Sequence, residues 1–320
     1  MRQGRFSEQG LGRPRKQTRR EAFLAQMDSV VPWDRFEQLM VAHYPVAGRG
    51  RRPYPLRAML KIHFMQQWFG LSDPAMEEAL WETPLLRGFA GLGLDFEGVP
   101  DETTILKFRH LLEKHGLSKA LFDEMTAILT ERGLLLRQGT IVDATLIAAP
   151  PSTKNRTRSR DPEMKQTRKG NQWYFGMKVH IGADAASGCV HSAEMTSANV
   201  HDCVVTDGLL HGEEEIAFGD SAYASKERSL EADREEGDVV WATPFKRRKG
   251  QGLSDEQRRI NRYMSSFRSR VEHIFRIVKR QFGYTRTRYR GLYKNSQQIF
   301  CLLALANIYI MREKLPEPAG

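Results

Sequence analysis

The spacing of apolar residues divides the chain into a part with helical period and a part with strand period. From Glu21 to about Gly116 the repeat is helical: Phe36, Leu39, Met40; then Leu56, Met59, Leu60, Ile62, Met65, Trp68; then Met76, Leu80; then Ile105, Phe108, Leu111, Leu112. Asp101 or Thr103 is placed to cap the last of these helices. Residues 56–70 and 73–81, separated by a short turn, have the spacing of a helix-turn-helix, and a plain helical bundle accounts for them equally well. Past Gly133 the period changes. Residues 140–147, Thr-Ile-Val-Asp-Ala-Thr-Leu-Ile, are β-branched and apolar around one charge, Asp143, and predict a buried strand.

Residues 152–171 are polar, basic and aperiodic, and predict a surface loop. Two strands follow, 173–183 and 189–196, joined by Asp-Ala-Ala-Ser-Gly, which is hairpin chemistry. A helix near 202–210 leads to a strand at 215–218 that ends in Gly219-Asp220. Then come a charged helix over 225–236, a strand over 239–243, a basic loop, and an amphipathic helix over 262–284. The predicted order is βββ-α-β-α-β-α. A final apolar helix over 299–310 either covers the sheet or makes a dimer contact. The fold class is α/β (α+β), and the expected division is a basic arm (1–20), a helical module (21–133) and a sheet-bearing domain (134–320).

In the helix over 262–284, Phe267, Val271, Ile274, Phe275, Val278 and Phe282 lie on one stripe. Glu272 is at the edge of that stripe, so it is expected at the core boundary, with Arg268 four residues before it and Lys279 seven after. In isolation such a Glu reads as half of a solvated ion pair. Asp143 and Asp220 change that. A carboxylate in mid-strand needs a partner such as a cation, and the turn after a sheet strand is where ligand-binding residues are commonly found. In a sheet of this order the first and fourth strands are neighbours, so Asp143 and Asp220 converge and the long helix lays Glu272 beside them. Three clustered carboxylates repel unless a divalent cation lies among them, and oxygen donors favour Mg²⁺ or Mn²⁺. Two such ions suit in-line phosphoryl displacement.

Charge supplies the substrate class. The chain carries 49 Lys and Arg against 39 Asp and Glu, a formal charge of +10. Between Pro244 and Arg290 fifteen bases stand against three acids, an excess of twelve, which points to nucleic acid. Arg268, Lys279, Arg276, Arg247, Arg248 and Lys178 are the candidate DNA contacts. Residues 1–20 hold seven bases and one acid and read as a flexible basic arm. Three cysteines without paired spacing give neither a disulfide framework nor a structural zinc site. The absence of a signal-like segment or a span-length apolar run gives the expectation of a soluble cytoplasmic protein that makes no membrane contact.

Val142-Asp143-Ala144-Thr145, Gly219-Asp220-Ser221-Ala222-Tyr223 and Arg268-x3-Glu272-x6-Lys279, in that order, resemble the DDE transposases of bacterial insertion sequences, most of all the group named after insertion sequence five. Similar stretches recur at Ala198-Asn199-Val200-His201-Asp202, from Val271 to Gly283, and at Leu303-Ala304-Leu305-Ala306-Asn307, and the likeness runs from about Tyr54 to Glu313. One departure is Ser265, where the related signature often has a tyrosine; Tyr263 is the nearest substitute.

The resemblance implies a ribonuclease-H-like mixed sheet flanked by helices and preceded by a helical DNA-binding module. It further implies that Asp143, Asp220 and Glu272 bind two Mg²⁺ ions, that Arg268 and Lys279 contact DNA, and that the enzyme cleaves at terminal inverted repeats and transfers 3′-OH ends. It also implies a bacterial, nucleoid-associated protein acting as a homodimer on double-stranded DNA. A DNA-binding regulator that has lost its chemistry and a metal-dependent nuclease are the competing readings. His180, His191 and His201 lack ligand spacing and read as structural. Trp173, Tyr174 and Trp241 read as core residues, with base stacking as the alternative.

Overall fold

A computed structural model describes residues 16–48, 52–93, 98–156, 158–220, 223, 239–247 and 252–315. The helix expected over 225–236, most of the basic arm, and Arg248 lie outside the described residues. Seven helices come first: α1 (Arg19–Val30), α2 (Trp33–Gln38), α3 (Leu56–Phe69), α4 (Asp73–Glu82), α5 (Pro84–Phe89), α6 (Glu102–Lys114) and α7 (Leu117–Glu131). Their ends follow local chemistry. Thr18 and Glu21 form a capping box on α1, Ser72 caps α4, and Asp101 rather than Thr103 caps α6 by accepting from the Thr104 amide (2.6 Å). Gly70 takes the left-handed conformation (φ 67°) that lets α3 stop and α4 start three residues later.

The sheet follows: β1 (Gly139–Ala148), β2 (Lys165–Lys169), β3 (Gln172–Asp184), β4 (Val190–Ser197), β5 (Ile216–Phe218) and β6 (Val240–Ala242). Its order is β2-β3-β1-β5-β6, with β4 also paired to β3. Pairings β1–β3, β2–β3 and β3–β4 are antiparallel, whereas β1–β5 and β5–β6 are parallel, so the sheet is mixed and ribonuclease-H-like as expected.

Two expectations are corrected. Residues 165–169 form a strand inside the predicted loop. Residues 202–210 make only two short 3₁₀ turns, Asp202–Val204 and Asp207–Leu209, because the β-branched Val204-Val205-Thr206 and Gly208 are poor helix formers.

The long helix, α8 (Asp255–Arg276), starts seven residues earlier than the stripe predicts, at a capping box of Ser254 and Gln257. It widens into a π-helical turn, Ile277–Gln281, and stops before Gly283 (φ 70°). Phe267 stacks on Phe218 of β5 with ring centroids 4.5 Å apart, and Val271 and Ile274 are buried against the sheet.

The last helix, α9 (Leu292–Met311), lies between the sheet and the helical layer. Asn307 closes two hydrogen bonds with the Val190 backbone of β4, its amide donating to Val190 O (2.7 Å) and its Oδ1 accepting from Val190 N (2.9 Å). On the other side Phe300 packs on Phe122 of α7. One continuous core therefore runs from Leu24 to Leu315.

Candidate active site

The parallel register of β1 and β5 pairs Gly139 with Ile216, Thr140 with Ala217 and Ile141 with Phe218. Asp220 follows the end of β5 by two residues, where the same register continued would bring it level with Asp143, and its charge acts on that residue. The Asp143 carboxylate accepts from the Ala144 amide (2.8 Å). Burial pushes its pKa up to about 6, and the charge of Asp220 adds to that, while the Ala144 amide, Arg268 and Lys169 pull it down. Asp143 itself is half-buried, and the loss of solvation of its charged form is the largest cause of that rise.

Glu272 is one turn beyond Arg268 on α8. It is exposed, not held at the core boundary, because Val271 and Ile274 take the buried positions on either side. It lines an open cleft of about 510 Å³ together with Thr145, Ser269, Arg276 and Lys279. Thr145 is two residues along β1 from Asp143, hence on the same face. The Lys279 ammonium donates to Thr145 Oγ1 (2.7 Å) and Leu146 O (2.8 Å), which ties the π-turn to the acid-bearing strand. Burial lowers the Lys279 pKa, and the neighbouring Lys169 lowers it further.

Lys169 identifies an arrangement that periodicity did not suggest. It is at the tip of the β2–β3 hairpin, nine residues along β3 from the partner of Asp143, yet its charge reaches both Asp143 and Lys279. The ribbon therefore curls back over the acid face. Gly176 permits the curl: a Cβ there would stand 2.0 Å from Ile147 O. Trp173 on this ribbon is 64% exposed, against the expectation of a core residue, and its cross-strand partner is Arg168. Tyr174 is half-buried.

On the other face of the sheet, Tyr223 is 1% exposed, and its hydroxyl has no hydrogen-bond partner among the described residues. Burial raises its pKa, and the charges of Asp202, Asp143 and Asp220 raise it further. It packs in a small cluster with Val142, Leu209, Ala217 and Trp241, so Trp241 is a core residue as expected.

Lys178 differs from the other candidate contacts. Its side chain is 14% exposed, and its ammonium donates to Asp202 Oδ1 (2.8 Å) and Val200 O (2.6 Å), so it serves the loop after β4. Arg268 is half-buried with a buried Nε that has no hydrogen-bond partner among the described residues, whereas Arg276 and Arg247 are exposed. The segment bearing Arg247 is held to α8 by Asn261, which both donates to and accepts from the Phe245 backbone. Tyr263 is exposed, edge-on to Phe267, and Ser265 bonds Asn261 O (2.9 Å).

Sequence periodicity misses the parts played by Tyr223 and Asp202. Tyr223 reads as the end of a turn motif, and Asp202 as a helix start.

Two family models match the chain. Residues 135–308 match the family described as Transposase DDE domain, and residues 13–111 match Transposase domain (DUF772). Among solved structures, the chain is similar to the cryo-EM structure of a piggyBac transposase synaptic complex with hairpin DNA. That likeness has a TM-score of 0.46 and 8% identity and covers 91% of this chain and 72% of that one.

Proposed function

We propose that this chain, which belongs to the DDE transposase family, binds the terminal inverted repeats of an insertion sequence, cleaves DNA at the ends and joins the freed 3′-OH groups to target DNA. One observation supports the reading: the charge of Asp220 acts on Asp143, as the parallel register of β1 and β5 continued by two residues would have it, while Glu272 lines a cleft that also holds Thr145 of β1.

These three side chains would hold the divalent ions, two Mg²⁺ per site with Mn²⁺ able to substitute. The donor set suits such ions, since all donors are carboxylate oxygens, and burial together with the charge of Asp220 disfavours an ionised Asp143 that a bound cation would stabilise. Bound there, the ions would supply activation of a water or 3′-hydroxyl and stabilisation of charge on the phosphate. Arg268 neutralises Asp143 from the helix side. Lys279 fixes the cleft wall, and Arg276 lines it where a phosphate backbone would run. Arg247, and Arg248 beside it in sequence, extend the basic track. The ribbon carrying Arg168, Lys169 and Trp173 would add to this track, with an exposed indole for a base to stack on.

Because two element ends must be joined to one target, a homodimer on DNA is expected. The closer affiliation is to the group named after insertion sequence five. The helical module, roughly residues 21–133, would contribute to repeat recognition.

The test is cleavage of a labelled duplex containing the repeat that flanks the gene, in Mg²⁺ and in Mn²⁺, by wild type and by Glu272→Gln. Cutting at the repeat boundary by wild type alone is the expected result. Repeat binding without cutting by either protein would replace this reading with that of a DNA-binding regulator. Cutting without end joining would leave a nuclease.

A further inference from the structure

We propose that His191, His211 and Glu214 form a zinc site on the sheet face opposite the three acids. His191 is the second residue of β4, and His211 and Glu214 belong to the turn that leads into β5. One ligand nitrogen from each histidine and a Glu214 carboxylate oxygen lie within 4.8 Å of one another. The set is nitrogen, nitrogen and oxygen, which suits Zn²⁺ better than Mg²⁺.

The separation of His211 and Glu214 discriminates between a metal site and a plain hydrogen-bonded pair. His211 Nε2 stands 3.3 Å from Glu214 Oε1, but the alignment makes no hydrogen bond, and this buried nitrogen has no other partner among the described residues. Two ligands of one tetrahedral ion with bonds of about 2.0–2.1 Å are separated by about 3.3 Å. The pair is therefore spaced as co-ligands.

Glu214 is already oriented. Its Oε1 accepts from the His211 amide (2.7 Å) and the Thr140 hydroxyl (2.9 Å), and its Oε2 accepts from the Gly212 amide (2.8 Å). Such outer contacts are what hold a metal-bound carboxylate in place. Burial pushes Glu214 up, but these donors outweigh it and keep the carboxylate ionised. Burial keeps the His191 imidazole neutral, with its pKa near 4. His191 Nε2 is 3.0 Å from the Thr140 hydroxyl, and its ring meets His211 edge-on at 5.0 Å.

The site is independent of the acid cleft. Thr140 and Asp143 are three residues apart on β1 and point to opposite faces of the sheet. Zinc here would staple β1, β4 and the entry of β5, the strand that delivers Asp220.

Untagged full-length protein is dialysed against Zn²⁺ and then against zinc-free buffer, and its zinc content and melting temperature are measured beside His211→Ala and Asp143→Asn. The expected result is one retained zinc per chain and a melting point several degrees higher for wild type and Asp143→Asn, both absent in His211→Ala, with circular dichroism reporting that this variant is folded. If His211→Ala does not fold, His211→Gln replaces it with the same expectation. No retained zinc and no change in melting of wild type would overturn the proposal. Equal retention by wild type and the His211 variant would also overturn it, because the zinc would then reside elsewhere.

Discussion

Under the proposed function, Asp143 is the residue at which stability and activity are opposed. Its folded-state pKa, near 6, lies above the ordinary aspartate value of 3.8. A raised acid pKa means that the folded state holds its proton more tightly than the unfolded one. Metal-free stability from this group is thus greatest at low pH and is lost as pH rises from about 4 through 6. At neutral pH the ionised carboxylate costs up to about 3 kcal/mol. Asp143→Asn removes the charge and keeps an oxygen for the Ala144 amide. In EDTA at pH 7.5 it should melt several degrees above wild type, whereas added Mg²⁺ should raise the melting point of wild type only. A variant that melts below wild type in EDTA would mean that the site is not short of positive charge. Asp143→Asn, Asp220→Asn and Glu272→Gln should all abolish cleavage while leaving DNA affinity within a few-fold; parallel loss of binding would remove the metal-site assignment. Asp143 was legible as one charge in an apolar strand, whereas the stripe beside Glu272 placed that residue at the core boundary and the structure leaves it exposed. The inward turn of Lys178 was not legible, since its partner Asp202 is 24 residues away and only the antiparallel return of β4 brings them together.

At the scale of elements, the legible strands are those with one face on the core. β1, β3 and β4 show it in β-branched and apolar runs, whereas β2, Lys-Gln-Thr-Arg-Lys, has little buried surface and is held by backbone pairing to the projecting end of β3. Charge and exposure made it read as loop. The same features suit a ribbon that meets a polyanion. Two substitutions separate its geometry from its surface. Gly176→Ala forces a methyl against Ile147 O and the Ala148 and Ala149 backbone, none of which can move without parting β1 from β3. It should cost about 1–3 kcal/mol or more and move the ribbon off the acid face. Trp173→Ala removes an exposed ring, so melting should change by no more than about 0.5 kcal/mol. If the indole stacks on a base, affinity for the repeat duplex should fall by about 1–3 kcal/mol. Unchanged affinity by fluorescence anisotropy would exclude Trp173 from the interface. The π-turn at Ile277–Gln281 was likewise hidden, because the partners of its Lys279, Thr145 and Leu146, are more than 130 residues away in the chain.

Across the whole molecule, the change of sequence period near Gly133 suggested two parts, but burial joins them. Ile299, Leu302, Leu303, Ala306 and Ile308 of α9 are each 1% exposed or less, and α9 meets the sheet through Asn307 and α7 through Phe300. Polar contacts reinforce the junction. The Arg109 guanidinium of α6 donates to Asp73 and Glu113 (2.9 Å each) and lies over the Tyr289 ring at 4.2 Å, and the Tyr293 hydroxyl donates to Glu113 O (2.7 Å). Removing residues 1–133 would expose the α7-facing side of α9 and leave its apolar surface in water, at about 25 cal/mol per Å². Small domains are stable by only about 5–15 kcal/mol, so a loss of that kind over a 20-residue helix is decisive. The fragment 134–320 is therefore expected to aggregate or to bind hydrophobic dye, although it contains all three acids. Arg109→Ala in the full chain should destabilise by about 3–5 kcal/mol, because it strands the Asp73 and Glu113 carboxylates in a buried network. A soluble fragment 134–320 with a cooperative melt would refute this coupling. The expected failure would mean that the helical layer and the sheet face depend on each other through α9; under the proposed function, a repeat bound on one side would then fix where the scissile phosphate meets Asp143, Asp220 and Glu272.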